Sequence, residues 1–388
     1  MRCKGGLAIA LMAALVLGAS VAMAAETYKI GAIFAITGPA SSLGIPERNT
    51  ALLIQDELNR KGGIRGPDGQ MHPVQIVIYD TASEETKTVL AAKKLIEEDK
   101  VSAIVGPTQS GESMAIVDTV QKAQIPLVSA AASIKIVEPV KERKWVFKTP
   151  QSDTLIASTL INFLKKKNLS KVAFLSVNNA FGDSGRVEFE KISEKSGLQI
   201  VAKEKFDATD KDMTAQLTRL RGTDFQAAVV WAIPPAASIV TKNYRQLGLR
   251  PPLFQSHGIG NKDFIKLAEA AAEGVIFPAG KLLVAENLPA SEPQKSVLVQ
   301  YAKEYEARHG LESRSTFGGH GWDALQIVLK AMEKAGNDRA KIRDTIEGMK
   351  EFVGIGGVFN FSDRDHNGLD TRAVSMIEIK DGKWTLAK

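Results

Sequence analysis

The chain has 388 residues, of which 44% are apolar and 24% charged, so it can bury a sizeable core and exceeds the length of one typical domain. Its formal net charge of +6 is spread along the sequence and gives no indication of a nucleic-acid partner. The only cysteine is Cys3, which excludes a disulfide scaffold and a thiolate metal site.

Residues 1–24 have the pattern of a removable export signal. A basic start is followed by an apolar run from Leu7 to Leu17 and by the small-residue cleavage site Ala22-Met23-Ala24. The run is too short to span a bilayer, and Cys3 precedes it, whereas a lipid-anchoring cysteine would follow it. We therefore expect export, removal of the signal and no membrane span in the mature chain.

Short runs rich in valine and isoleucine alternate with longer helical patterns in the rest of the chain. The first half contains YKIGAIFAI, VQIVIYD, VSAIVG and IPLVSA, with helical segments between them. The rhythm restarts after Pro150 with KVAFLSV, LQIVAKEKF and AAVVWAI. This alternation predicts an α/β fold with two doubly wound lobes, each a parallel sheet covered by helices. A hairpin with Asp381-Gly382 as its turn is predicted near the end, in AVSMIEIKDGKWTLA.

The segment IVGPTQSGES, from Ile104 to Ser113, nearly matches the phosphate-binding loop G-x-x-x-x-G-K-[ST]. Glu112 replaces the lysine, and its carboxylate would repel phosphate, so nucleotide hydrolysis is not predicted. The segment lies between a strand and a helix, and a helix N-terminus suits a single carboxylate. Ser110 either caps this helix or, with Gly111 allowing close approach, contributes to a carboxylate site; the sequence leaves both interpretations open.

Other polar patterns do not indicate a metal centre or an active site. The D-x-D-x-N-G pattern that begins at Asp363 is half of a calcium loop, but Val374 occupies the twelfth position, so a polar turn is predicted. The five histidines lack metal-binding spacing, and no serine, histidine and aspartate set can be assembled. We therefore expect no metal, no cofactor and no enzyme activity.

Four segments between Tyr28 and Ser133 resemble the substrate-binding proteins of branched-chain amino acid ABC transporters, which are type I periplasmic binding proteins. They read YKIGAIFAITGPASSLG, ELNRKGGIRG, KVSAIVGPTQS and IPLVSAAAS, and their order and spacing are specific. The resemblance covers essentially the whole chain after the signal. It implies two Rossmann-like lobes joined by a three-crossing hinge. The implied lobe I comprises residues 25–150 and 280–359, and the implied lobe II comprises residues 151–279 and 360–388.

In this family the ligand lies between the lobes, and lobe I binds its carboxylate through a serine at a helix start and a second serine or threonine further along. The matching residues here are Ser110 and Ser133, with Ala131 supplying a backbone carbonyl. Hydrogen bonds to a charged group contribute roughly 1.5–3 kcal/mol each, so this clamp could anchor a small ligand. The other ligand-binding residues that the resemblance implies are Leu43, Phe181, Trp231, His257 and Phe317.

The chain departs from the family at the position that binds the ligand's amine. Amino-acid-binding members place a carboxylate of lobe II there, whereas this chain has His257 in FQSHGIGN. A neutral imidazole is a poor partner for an ammonium group, and a protonated one repels it. We therefore expect an apolar or aromatic carboxylate ligand without an α-amino group, with His257 bonding a distal hydroxyl or carbonyl. Alternatively, Asp183 or Glu112 binds the ammonium group of an amino acid.

The resemblance implies a monomeric solute-binding protein that delivers its ligand to the membrane permease of an ABC importer. The ligand would favour the closed form to the extent that it binds this form more tightly than the open one. Uptake of branched-chain or other amino acids is the alternative within this class. A ligand sensor for a membrane receptor and an exported enzyme are two further functions that the same fold could serve.

Overall fold

The computed structural model describes residues 25–388, and the predicted export signal lies outside the described residues. Two large sheets organise this part of the chain, and helices cover both faces of each sheet. The predicted α/β fold with two doubly wound lobes is therefore confirmed. We call the first sheet with its helices lobe I and the second sheet with its helices lobe II. Between residues 25 and 388, every helix is too short or too polar to cross a bilayer.

The sheet of lobe I has five parallel strands in the order β4-β1-β5-β6-β7. Its strands are β1 (Tyr28–Phe34), β4 (Val74–Asp80), β5 (Ala103–Val105), β6 (Leu127–Ser129) and β7 (Val146–Lys148). The helices between these strands are α1 (Ser41–Lys61), α2 (Glu85–Glu97) and α3 (Ser110–Ala123). A two-stranded ribbon follows α1 and consists of β2 (Ile64–Arg65) and β3 (Met71–His72).

Strand β1 shows why the strands of this sheet carry apolar runs without polar alternation. Ile30, Ala32 and Phe34 pack on one face with α1 and with the later helix α10 (Thr316–Ala335). Ile33 points to the opposite face and packs with α2 and α3. Successive side chains of a strand alternate between the two faces of its sheet, so burial of both faces requires apolar residues at every position.

The sheet of lobe II has seven strands in the order β16-β15-β12-β11-β10-β8-β9. Five are parallel: β8 (Lys171–Val177), β9 (Gln199–Phe206), β10 (Ala227–Trp231), β11 (Leu253–Gln255) and β12 (Ile276–Ala279). The C-terminal hairpin of β15 (Ser375–Lys380) and β16 (Lys383–Leu386) adds two antiparallel strands beside β12, with its turn at the predicted residues. The helices are α4 (Asp153–Lys166), α5 (Ala180–Ser196), α6 (Thr214–Leu220), α7 (Ala236–Gln246) and α8 (Lys262–Ala268).

Three helices and a second ribbon lie between β12 and β15. They are α9 (Lys295–His309), α10, α11 (Arg339–Glu347), β13 (Phe352–Val353) and β14 (Val358–Phe359). Helices α10 and α11 pack into the core of lobe I. Helix α9 shares a buried cluster with lobe II, while the Tyr301 hydroxyl lies 2.8 Å from the Thr50 hydroxyl of α1. The chain thus passes between the lobes more than once, and the lobe boundaries at residues 280 and 360 stay predictions.

The segment that begins at Asp363 forms a polar turn, as predicted. The Asp365 carboxylate accepts hydrogen bonds from the N–H groups of Asn367 (2.8 Å) and Gly368 (2.9 Å). Aspartate in this position typically bonds to the backbone two residues further on and so stabilises a turn.

Candidate ligand-binding site

A cavity of about 270 Å³ lies between the carboxyl ends of the two sheets. Its wall combines loops that follow β1, β5 and β6 in lobe I with loops that follow β8, β10 and β11 in lobe II. Open parallel sheets bind ligands in this place, because strands end and helices begin there. Six of the residues that the resemblance assigns to ligand binding line the cavity: Leu43, Ser110, Ala131, Phe181, His257 and Phe317.

The start of helix α3 forms part of the cavity wall. Gln109 has an extended backbone, and its N–H donates to the Glu112 carboxylate (3.1 Å). This reciprocal capping arrangement makes Gln109 the N-cap, so the interpretation of Ser110 as the cap is wrong. The Ser110 hydroxyl oxygen instead accepts a hydrogen bond from the Ser133 N–H (3.3 Å). The hydrogen of the Ser110 hydroxyl therefore remains available for a ligand.

The N-terminus of α3, which carries the positive end of the helix dipole, lies next to the Glu85 carboxylate. The first N–H groups of α3 have no acceptor within the helix and carry the positive end of its dipole, equivalent to about half a charge. The Glu85 carboxylate lies against Gly111, where a Cβ atom would overlap it, so the glycine allows this approach. Glu85 is exposed and lines the cavity, and it forms no ion pair or side-chain hydrogen bond with the residues that the structure describes.

Ser133 lies behind the cavity wall. Its hydroxyl donates to Ser184 Oγ on α5 (2.7 Å), and the Ser184 hydroxyl donates to Asp153 Oδ2 on α4 (2.5 Å). The hydroxyl predicted to bind the ligand is therefore bonded to lobe II. Ser133 does not line the cavity, and its N–H donates to Ser110, which does.

Aromatic side chains of lobe II form a second part of the wall. The Phe181 ring, at the start of α5, lies 5.6 Å from the His257 ring and is inclined to it by 67°. Trp231 packs behind both, with its centroid 6.1 Å from each, and is fully buried. As the last residue of β10 it still follows the strand's alternation and points toward α5, where Gly185 leaves room for the indole. Trp231 therefore supports the wall rather than lining it.

Two histidines from different parts of the chain reach the cavity: His257 after β11 and His320 on α10. Burial lowers the pKa of each ring to about 3, and the charge of Lys148 adds to the effect. Both rings are therefore neutral near pH 7, and a neutral imidazole has one donor and one acceptor. Between residues 25 and 388, neither nitrogen of His257 nor Nδ1 of His320 finds a hydrogen-bond partner. An unpaired buried polar group costs about 1–3 kcal/mol, so we expect a ligand or water to bond there.

The two acidic residues considered as amine partners are engaged elsewhere. Asp183 pairs with Lys205 on the surface of lobe II, at 2.6 Å, and does not line the cavity. Glu112 reaches the cavity wall, but its carboxylate accepts hydrogen bonds from the Thr81 hydroxyl (2.6 Å) and from the Gln109 N–H (3.1 Å). Burial also raises the pKa of Glu112, which weakens it as a partner for a cation.

Several polar residues of the wall are not among those that the sequence assigns to ligand binding, and Glu85, Thr108 and His320 are three of them. Glu85 begins the helix after β4, and Thr108 lies in the loop after β5, so the rule that ligands bind beyond strand ends could have found both. Thr108 accepts from the Ala35 N–H (2.9 Å) and donates to the buried Glu47 carboxylate. His320 lies inside α10, far along the chain from the strands of lobe I, and only tertiary packing brings it to the cavity.

Residues 27–383 match a family model described as periplasmic binding protein. A relative in Pseudomonas aeruginosa, named leucine-, isoleucine-, valine-, threonine-, and alanine-binding protein, is 24% identical over 330 residues, which cover 84% of each chain. The fold matches an extracellular ligand-binding receptor from Rhodopseudomonas palustris HaA2 with a TM-score of 0.85 and 28% identity, over 94% of this chain and 100% of that chain.

A second solved structure is the branched-chain amino acid transporter substrate-binding protein of Streptococcus pneumoniae in complex with isoleucine. It matches with a TM-score of 0.81 and 28% identity, over 94% of this chain and 99% of that chain. The family match spans both sheets and the cavity between them. This chain therefore belongs to the periplasmic binding protein family, and its type I fold is that of the branched-chain amino acid transporter proteins that its sequence resembles.

Proposed function

We propose that this chain is the periplasmic solute-binding protein of an ABC importer and that it captures an apolar α-amino acid between its lobes. The names of its relatives support this class, since they are binding proteins for leucine, isoleucine and valine. The observation that carries the proposal is the adjacent pair of opposite charges on the cavity wall. The α3 N-terminus suits a carboxylate, and the Glu85 carboxylate beside Gly111 suits an ammonium group.

An α-amino acid presents these two groups from one carbon atom, so both can be bound only if their partners adjoin. Ser110 would donate its hydroxyl hydrogen to the ligand carboxylate. The side chain would occupy the apolar part of the cavity, between Leu43, Phe181 and Phe317. Glu85 thus takes the role that a carboxylate of lobe II fills in amino-acid-binding members, where this chain has His257.

The transport role follows from a ligand that contacts both lobes. Such a ligand binds the closed arrangement more tightly than the open one, and so shifts the population toward it. The closed monomer would then dock on a membrane permease. We propose a binding function without catalysis, since the polar groups of the wall are suited to holding charges.

A carboxylate ligand without an amine is the second candidate. The observation in its favour is the neutral His257, whose ring nitrogens lack partners among the described residues. A hydroxyl or carbonyl group at the far end of an aromatic or aliphatic acid would satisfy them. This ligand would leave Glu85 unpaired at the cavity wall.

Calorimetry with leucine and 4-methyl-2-oxopentanoate distinguishes the two candidates, because these compounds share one carbon skeleton and differ in the amine. We expect leucine to bind more tightly, and Glu85→Gln to weaken leucine binding about tenfold through loss of one charge-assisted bond. The same substitution should leave the affinity for the keto acid unchanged or raise it.

Glu84→Gln is the matched control, since Glu84 is exposed, precedes Glu85 directly and does not line the cavity. We expect it to leave both affinities unchanged. Tight binding of 4-methyl-2-oxopentanoate or benzoate without binding of leucine would sink the amino-acid proposal and establish the second candidate.

A further inference from the structure

Four residues form a continuous chain of hydrogen bonds that starts at the cavity and ends inside lobe II. The Ser133 N–H donates to Ser110 Oγ at 3.3 Å, and the Ser133 hydroxyl donates to Ser184 Oγ at 2.7 Å. The Ser184 hydroxyl donates to Asp153 Oδ2 at 2.5 Å. Of these residues only Ser110 lines the cavity, so the other three act at a distance from any ligand.

This chain crosses from one lobe to the other at a single bond. Ser133 follows β6 in lobe I, whereas Ser184 lies in α5 and Asp153 begins α4, both in lobe II. Rotation of the lobes away from each other would break the bond between the two serine hydroxyls. The bond between Ser184 and Asp153 lies within lobe II and would persist.

Asp153 fixes the direction of the whole chain. A carboxylate only accepts hydrogen bonds, so the Ser184 hydroxyl must donate to it and can only accept from Ser133. The Ser133 hydroxyl is then the donor across the interface. The Ser133 N–H also donates a hydrogen bond to the Ser110 oxygen. The hydroxyl hydrogen of Ser110 therefore points away from Ser133, toward other acceptors.

The surroundings make these bonds costly to lose. Ser133 and Asp153 are 0% exposed and Ser184 is 1% exposed, so water does not replace a missing partner while the lobes are closed. The Asp153 Oδ1 atom has no other partner within residues 25–388. Burial raises the pKa of Asp153 to about 6, while the Ser184 hydroxyl and the buried Lys148 ammonium group, held by a 2.5 Å bond to the Pro150 carbonyl, oppose this rise, so the carboxylate is charged near pH 7.

We infer that Ser184 and Asp153 are positioning residues that hold Ser133 across the lobe interface, favour the closed arrangement without contacting the ligand, and orient Ser110 at the cavity. Hydrogen bonds within the protein then favour closure of the lobes independently of any ligand. The ligand-free protein should therefore sample the closed arrangement. This inference rests on the fold and these bonds, and it holds whichever ligand the cavity takes.

Distances between two spin labels measure closure without any ligand. Labels at Thr86→Cys and Lys211→Cys report on it, since both positions are exposed. Thr86 follows Glu85 of lobe I and Lys211 lies three positions after Ala208 of lobe II, and both Glu85 and Ala208 line the cavity. Cys3, the only cysteine of the sequence, lies in the predicted export signal, so the two labels are placed in a chain that begins at Ala25. Pulsed electron paramagnetic resonance on the ligand-free protein should show a short-distance population that corresponds to the closed lobes.

Ser184→Ala should lower the ratio of closed to open protein about tenfold, equivalent to about 1.4 kcal/mol. Ser133→Ala removes the same bond from the other lobe and should have a similar effect. The double variant should be no more open than either single variant, because both remove one shared bond. Additive effects would overturn the inference, since they would mean that each serine acts independently.

Ser193→Ala is the matched control. Ser193 lies on the same helix as Ser184, is 2% exposed and has no side-chain hydrogen-bond partner among the described residues. We expect the wild-type distance distribution for this variant. A wild-type protein that is entirely open without ligand, or a Ser184→Ala variant as closed as wild type, would also overturn the inference. None of these outcomes depends on leucine, so they leave the proposed function to its own test.

Discussion

The histidines of the cavity wall differ from solvated histidines in the pH at which they bind protons. Burial lowers the pKa of His320 to about 3 in the folded protein, whereas an unfolded chain has a histidine pKa of about 6.5. Between these two values the unfolded state holds a proton that the folded state lacks. Lowering the pH through this window therefore favours unfolding, and the stabilising effect of neutral burial is complete only above it.

His320→Gln should remove this pH dependence. From pH 6.5 down to pH 4.5, the free energy of unfolding of the variant should rise relative to wild type, by up to about 1.4 kcal/mol per pH unit. Other buried groups, such as Asp323, titrate in both proteins, and the difference between the two curves isolates His320. Urea denaturation at pH 4.5, 5.5, 6.5 and 7.5 measures this difference.

His72→Gln is a control for which we expect the opposite change: relative to wild type, the free energy of unfolding of this variant should fall as the pH is lowered. Burial alone would lower the pKa of His72, but hydrogen bonds to the Glu26 carbonyl and the Asp68 carboxylate outweigh it and raise this pKa. Protonated His72 therefore stabilises the fold below pH ~6.5, and the stabilisation is lost as the pH rises through its folded pKa. Identical pH dependence of wild type and His320→Gln would show that His320 is protonated normally.

Single residues also mark the limit of what the sequence can predict about the site. Ser110 and Phe181 follow the carboxyl ends of predicted strands, and this rule alone brings them to the cavity wall. Ser133 satisfies the same rule and Trp231 is the last residue of its strand, but neither lines the wall. Their side-chain directions depend on partners distant in sequence: the Ser184 hydroxyl for the serine and the space beside Gly185 for the indole.

At the scale of elements, the segment 354–357 between β13 and β14 connects three other parts of the chain. Two of its successive N–H groups donate to the Asp323 carboxylate of α10, each at 2.6 Å. The side-chain amide of Gln151, which precedes α4, donates to the Gly356 carbonyl of the segment (2.6 Å). Gln294, before α9, donates to two others (2.8 and 3.0 Å). The segment therefore connects α10 to the residues that precede α4 and α9.

Asp323→Ala should destabilise the protein more than a typical aspartate substitution does. It would leave two buried N–H groups without acceptors, at a cost of about 1–3 kcal/mol each. Asp338→Ala is the comparison: Asp338 accepts a bond from the Lys341 N–H at the exposed start of α11, and loss of such a cap costs about 1 kcal/mol. Urea denaturation should show the larger loss for Asp323→Ala, and equal losses would contradict the role of this segment.

The elements themselves were largely predictable, because their signals are local. The apolar runs of the parallel strands and the Asp381-Gly382 turn each depend on neighbouring residues. The connections of segment 354–357 were not predictable, since Gln151 bonds to a carbonyl 205 positions away. The interpretation of Ser110 as the N-cap of α3 is one residue too late, because Glu112, considered as a barrier to phosphate, also closes the capping arrangement with Gln109.

At the scale of the whole molecule, the two lobes together limit the size of the ligand. In the arrangement of the lobes that the structure shows, the cavity measures about 270 Å³. This space suits a single amino acid or a small acid. A longer ligand would hold the lobes apart and break the hydroxyl bond between Ser133 and Ser184. Size selection is therefore a property of closure and belongs to neither lobe alone.

Extension of the ligand by one residue should weaken binding strongly. If leucine binds, leucyl-leucine should bind at least about 100-fold more weakly, since it forgoes closure worth about 2.7 kcal/mol or more. Leu43→Ala should reduce this discrimination, because Leu43 is 3% exposed and lines the cavity, so its truncation enlarges the space. Leu52→Ala, on the same helix but 40% exposed, should leave the discrimination unchanged.

If 4-methyl-2-oxopentanoate is the ligand instead, its amide with leucine serves as the extended compound. Equal affinity of the short and extended ligands would mean that the closed cavity does not select for size, and that binding occurs with the lobes open.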